Sequence, residues 1–148
     1  MEKHIYKEIV IPARITEVWN AWTVKKELLK FFAPEAEIEL KIGGKYEMYF
    51  LPDKPAGLRG GEGNRILSFI PEKMLSFEWN APPNFPNVRQ EKTWCVLFFE
   101  KIDLNSTKIE FYHLGWQKGN EWDQVYDYFQ KAWAYVLGNL KTYFEKKI

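Results

Sequence analysis

Few side chains in this sequence have a type and spacing that could do chemistry. The two histidines and the one cysteine come first. His113 ends a run in which Thr107, Ile109, Phe111 and His113 alternate with Lys108, Glu110 and Tyr112, so it faces inward with the apolar set. As a general base it would need a partner that fixes its tautomer, and no Asp or Glu shares its strand face. Its expected role is structural, tethering the exit of a sheet to the element that follows. His4 reads as the edge of a first strand. Cys95, flanked by Trp94 and by Val96, Leu97 and Phe98, should be buried, which raises a thiol's pKa and suppresses its reactivity. Two histidines without H-x-H or H-x-x-x-H spacing do not make a metal site with one cysteine, so neither metal nor cofactor is expected. The glycines of GLRGGEGN lack the strand-then-helix setting of a phosphate or dinucleotide loop. Arg59, Glu62, Arg65 and Arg89 fall near loops and read as solvated charges. No catalytic constellation emerges, and a non-catalytic protein is the reading.

The elements that must position these residues are organised around the C-terminal stretch. From Asn120 onward, Trp122, Tyr126, Phe129, Trp133, Val136, Leu137, Leu140, Tyr143 and Phe144 recur at three- and four-residue spacing. That spacing predicts one amphipathic helix roughly 40 Å long, with Asn120 as its N-cap and Glu121 and Asp123 suited to its dipole. Residues 3–11 predict a first strand. TEVWNAWT, capped by Thr16, predicts a short helix that buries Val18, Trp19 and Trp22, and residues 25–31 predict a second. Residues 35–42 alternate Ala36, Ile38, Leu40 and Ile42 with charged partners, and Gly43-Gly44 predicts a tight hairpin into 45–50, with Tyr46, Met48 and Phe50 inward. Further strands are predicted at 64–70, at 74–79 with Leu75, Phe77 and Trp79 on one face, at 94–99, and from Thr107 to His113. The 94–99 run is apolar on both faces, so its parity stays open.

Six consecutive strands with short links form an antiparallel meander, whose ends alternate between two poles. The turns at Gly43-Gly44, at 71–73 and at 103–106 fall at one pole. The long loops 51–63 and 80–90, the segment after Phe31-Phe32 and the exit through 113–116 fall at the other. A one-ended pocket should open there. Phe32, Trp79, Trp116, Trp122 and Phe129 are its expected rim, with His113 beside them. Tyr46, Met48 and Trp133 are the expected deeper wall. Tyr128, Ala132 and Tyr135 fall on the helix's outer side, where a small self-association patch could lie, so a monomer or weak homodimer is expected.

At 148 residues with 7 Trp, 8 Tyr and 11 Phe, the chain reads as one domain able to bury a thick aromatic core. A formal charge of +1 argues against a nucleic-acid partner. No segment approaches the eighteen apolar residues of a membrane span, and MEKHIYKE lacks a signal core. With one cysteine, a cytoplasmic location is the expectation.

The segments PARITEVWNAWT, EIELKIGGKYEMYF, RILSFIPEKMLSFEW and TKIEFYHLGW, followed by a long terminal helix, resemble the START-like (SRPBCC) superfamily. Within it the chain is similar to the family related to the C-terminal domain of the Aha-type activator of the heat-shock chaperone ATPase. The resemblance implies an α+β helix-grip fold, a curved antiparallel sheet wrapped around the terminal helix. It also implies a small hydrophobic or aromatic ligand held between sheet and helix. Phe31-Phe32 stands where many relatives carry a Trp, and the proline-rich loop 80–90 is unusually long. Both departures touch the pocket mouth, so the ligand's identity does not transfer. Two rivals follow from the same resemblance. One is an interaction module with a chaperone partner, which would show a large exposed apolar or single-sign patch on the sheet's outer face; the alternation of residues 35–41 makes that face locally mixed and hydrophilic and lowers this rival. The other is a polyketide cyclase- or aromatase-like enzyme, for which His113 is the candidate residue.

Overall fold

The computed structural model describes residues 2–148. In order, β1 (Ile5–Ile11), α1 (Ile15–Thr23) and α2 (Lys25–Leu28) precede six strands. These are β2 (Glu35–Ile38), β3 (Tyr46–Tyr49), β4 (Ile66–Ile70), β5 (Met74–Trp79), β6 (Thr93–Asp103) and β7 (Ser106–Leu114), and α3 (Asn120–Glu145) follows. Five strands pair antiparallel in the order β1-β7-β6-β5-β4, and β2 pairs with β3. Bridges at Lys45–Arg65 and Tyr49–Gly60, with the Gly61 N–H donating to the Met48 carbonyl at 2.7 Å, carry the pairing on from β4 to β3. The result is a seven-stranded curved antiparallel sheet closed over α3, the helix-grip architecture expected.

The stripe on α3 supplies the core: Phe129, Trp133, Val136, Leu137, Leu140 and Phe144 are buried, joined by Val125. Trp133 is its hub. Its ring lies 4.5 Å from Phe111, 5.1 Å from Trp79 and 5.8 Å from Phe32, centroid to centroid. The inward faces of the strands meet it. Thr107, Ile109, Phe111 and His113 on β7 and Leu75 and Phe77 on β5 are wholly buried, as their alternation predicts. On β6 the open parity resolves: Thr93, Cys95, Leu97 and Phe99 point inward, while Trp94 and Phe98 are exposed.

Five local expectations are corrected. Strand β2 stops at Ile38 rather than 42, so Leu40 and Ile42 are exposed. Between Ile38 and Tyr46 the chain folds on itself, with Lys41 N–H donating to Glu39 O at 2.8 Å and Gly44 N–H to Lys41 O at 2.9 Å. Those local bonds replace a ladder, so there is no two-residue hairpin at Gly43-Gly44. Phe50 lies past the end of β3 and is exposed. Thr16 does not cap α1, whose N-cap is Arg14; its hydroxyl donates instead to Glu72 in the β4–β5 turn at 2.7 Å. Asn120 is the first residue of α3, and its N-cap is Gly119 at φ 142°, a backbone that favours glycine.

Candidate functional site

A cleft of about 840 Å³ opens where the two long loops meet α3. Its lining comes from Phe32 after α2, from 50–51 and 59–61 in the first loop, from 79–84 at the end of β5 and in the second loop, and from the outer flank of α3 between Gln124 and Val136. This is the pole to which the strand alternation assigned the long loops.

Of the nine residues expected to line it, Phe32, Trp79, Phe129 and Trp133 do. They form its aromatic base, with Phe32 and Trp79 rings 5.7 Å apart. The other five are elsewhere. Tyr46 is buried in the core, stacked on Phe77 at 4.2 Å, and its hydroxyl donates to the Trp22 carbonyl at 2.8 Å. Met48 is wholly buried beside it on β3. Trp116 and Trp122 pack with Tyr126 on the flank of α3 that meets β1, where the Tyr126 hydroxyl donates to the His4 carbonyl at 3.0 Å. Trp122 and Tyr128 are six residues apart, about 240° around the helix, so only one of them can face the cleft. The cleft takes the other flank, and Tyr128, Ala132 and Tyr135, read from the sequence as an outer surface, line it.

His113 lies behind the aromatic base, wholly buried. Trp133 donates its indole N–H to His113 Nδ1 at 2.9 Å, so Nδ1 must be the unprotonated nitrogen. Nε2 then donates to Thr93 Oγ1 at 2.7 Å, and that hydroxyl points on to the Trp79 carbonyl at 3.4 Å. The relay ties α3 to β7, β6 and β5. Burial pulls the imidazole's pKa from 6.5 down to about 3, so it stays neutral. Both nitrogens are engaged by protein, which is the tethering role expected of it. Cys95 is buried in the same layer, and desolvation pushes its thiol well above the ordinary range.

The sequence reading missed what shapes the cleft wall. Arg89 and Glu62 are not solvated charges, being 14% and 20% exposed as side chains. The Arg89 guanidinium donates to Gly60 O at 2.8 Å, Ala81 O at 2.6 Å, Gly57 O at 2.8 Å and Glu62 Oε1 at 3.2 Å. Glu62 in turn accepts the backbone N–H groups of Gly57, Arg59 and Gly60. This clasp binds the first loop to the second. Glu121 on α3 anchors the second loop from the other side, accepting Val88 N–H at 2.7 Å and Asn87 Nδ2 at 3.0 Å. Arg59 lines the cleft, whereas Arg65 is exposed and donates to the Gly43 carbonyl. The clustering of glycines with Glu62, and of prolines with Arg89, was the one available signal. Nothing in it said that the two loops meet.

Chemically, the cleft offers an apolar base with a few charged side chains at its margin. The base is ring and aliphatic carbon, and the charged side chains on the lining are Arg59, Asp127 and Lys131. Among the described residues no cluster of His, Cys, Asp and Glu could hold a metal ion, and no helix is long and apolar enough to cross a membrane.

Comparison with known proteins fits this architecture. The family model described as Activator of Hsp90 ATPase homolog 1-like protein matches residues 12–145. No curated protein matches the sequence. Among solved structures, a protein from Mesorhizobium loti superposes with a TM-score of 0.78 at 14% identity, covering 99% of each chain. The Aha1 dimer from Colwellia psychrerythraea gives 0.73 at 21% identity, over 97% of this chain and 96% of that one. An HSP90 activator from Plasmodium falciparum gives 0.72 at 16% identity, over 94% of each. At these identities the likeness is one of fold.

Proposed function

From the premise that the chain belongs to the Activator of Hsp90 ATPase homolog 1-like family, we propose that it binds a small hydrophobic or aromatic molecule in the cleft between loops and α3, without transforming it. The observation that carries this reading is the cleft itself: about 840 Å³, within the range of small-molecule sites, floored by Phe32, Trp79, Phe129 and Trp133. The clasp through Arg89 supports it, because a wall held in place before binding spares the ligand the cost of ordering it. Trp79 and Trp133 provide the readout. A ligand seated on them changes indole emission, and 2-naphthol serves as the probe. Ala132→Trp fills the cleft from the half-buried flank of α3 and should weaken the probe at least tenfold with little change in the unfolding midpoint. Native mass spectrometry of wild type should also find a co-purified small molecule that Ala132→Trp lacks. Neither an adduct nor quenching in wild type, or equal affinity in Ala132→Trp, refutes the reading.

A second reading, an interaction module acting on a chaperone, draws on the family's description and on the exposed Trp94, Phe98 and Ile70 of the outer sheet face. The hydrophilic alternation of β2 argues against a patch at that edge only. Its test is the ATP hydrolysis rate of purified Hsp90 with and without this protein, and an unchanged rate removes it.

A further inference from the structure

The sheet face turned away from α3 is not a uniform polar surface. Antiparallel register places Tyr6 beside Tyr112 and Tyr112 beside Val96 in one row across β1, β7 and β6. The next row sets Phe98 beside Met74 and Met74 beside Ile70 across β6, β5 and β4. Tyr112 joins the rows, its ring 4.9 Å from Tyr6 and 6.1 Å from Phe98. Tyr6 is 39% exposed, Phe98 45% and Ile70 53%, with Trp94 at 41% beside them on β6. A contiguous apolar band of this kind on a soluble surface marks a contact site.

One corner of the band is acidic. Glu8 and Glu110 are directly opposite across β1 and β7, a destabilising like-charge pair. The Tyr6 hydroxyl lies between them, 2.7 Å from Glu8 and 2.9 Å from Glu110, and the two carboxylates push its pKa up, Glu8 foremost. Lys108 is 3.8 Å from Glu8 and 4.0 Å from Glu100; among the described residues Glu110 has no ion-pair partner. Two carboxylates thus share one lysine beside the aromatic rows, and the third, Glu110, is left to the Tyr6 hydroxyl.

We propose that this outer face docks a protein segment in the form of an amphipathic helix whose apolar side is flanked by lysine or arginine. The occupant follows from the chemistry. The added cations would complete the pairing that Lys108 leaves unfinished, and the apolar side would cover Tyr112, Phe98 and Ile70. A second copy of this chain would instead bring the same excess of carboxylates into the contact, and an anionic lipid surface would be repelled by it. A strand would pair at an edge, whereas the face of a sheet takes a helix, as α3 does on the opposite side. Five strands span about 19 Å, well matched to a helix of about 18 residues and 27 Å crossing them obliquely. The inference stands on this face alone and needs neither a ligand in the cleft nor Hsp90 as the partner.

The test uses a synthetic 18-residue helical peptide with Leu at i, i+3, i+4 and i+7 and Lys elsewhere, and a counterpart with Glu for Lys. Binding is followed by calorimetry. The lysine peptide should bind wild type at least tenfold more tightly than the glutamate one. Phe98→Ser should lose at least tenfold, with Ile70→Ser as the second variant should the first fail to fold. Glu8→Gln with Glu110→Gln should weaken binding and flatten its salt dependence. Ala132→Trp, in the cleft, should leave it unchanged. The proposal is overturned if wild type binds neither peptide or both alike, if the serine variants keep full affinity, or if Ala132→Trp abolishes binding. It is equally overturned if wild type is a dimer that Phe98→Ser splits, since the occupant would then be a second copy.

Discussion

His113→Gln separates a structural histidine from a catalytic one, and its sharpest signature is in the pH dependence of stability. In the folded protein burial holds the imidazole near 3, against 6.5 for the free side chain. Between those values the unfolded chain binds a proton that the folded chain does not, so stability falls as the pH falls. The contribution is whole above 6.5 and is lost progressively on acidification toward about 3. Each pH unit in this window is worth about 1.4 kcal/mol, so going from pH 7 to pH 5 should cost wild type about 2 kcal/mol through this residue alone. His113→Gln removes that proton. It should start about 1–3 kcal/mol less stable at pH 7, because Trp133 Nε1 and Thr93 Oγ1 lose partners of the right geometry. Its stability should then decline less between pH 7 and pH 5. Urea midpoints for both proteins at the two pH values measure the difference, with carboxylate effects common to both. Equal losses in wild type and variant would refute the buried, neutral assignment. A chemical product formed by wild type and not by the variant would refute the structural role altogether.

The core assignment of α3 predicts that Leu140→Ala, at a wholly buried position, costs about 2–5 kcal/mol, while exposed Thr142→Ala stays within about 0.5; equal denaturant midpoints would show the wrong face. Arg89→Gln should cost about 1–3 kcal/mol and, more tellingly, speed proteolysis within 51–63, because the clasp holds three loop carbonyls. An unchanged cleavage rate would mean that the first loop is held by something else.

What the sequence determined by itself was whatever local periodicity encodes. The 3.6-residue stripe of α3 and the two-residue alternation on β5 and β7, which turned His113 inward, came from neighbours within one element. The order of short and long links likewise located the pole where the cleft opens. Tertiary structure decided what depends on contacts between distant residues. Strand β6 is apolar at every position from Trp94 to Phe99, so only its register against β5 and β7 says which residues are core and which form the outer band. Leu40 and Ile42 continue a strand pattern, yet the backbone bonds locally there and the strand ends. The stripe on α3 offers rings through more than one flank, and packing against Trp116 and the segment before β1 consumed Trp122 and Tyr126, which left Tyr128, Ala132 and Tyr135 to the cleft. Arg89 and Glu62 looked like surface charges because nothing local reveals a partner 27 residues away; a guanidinium is buried only where folding brings enough carbonyls to replace its water.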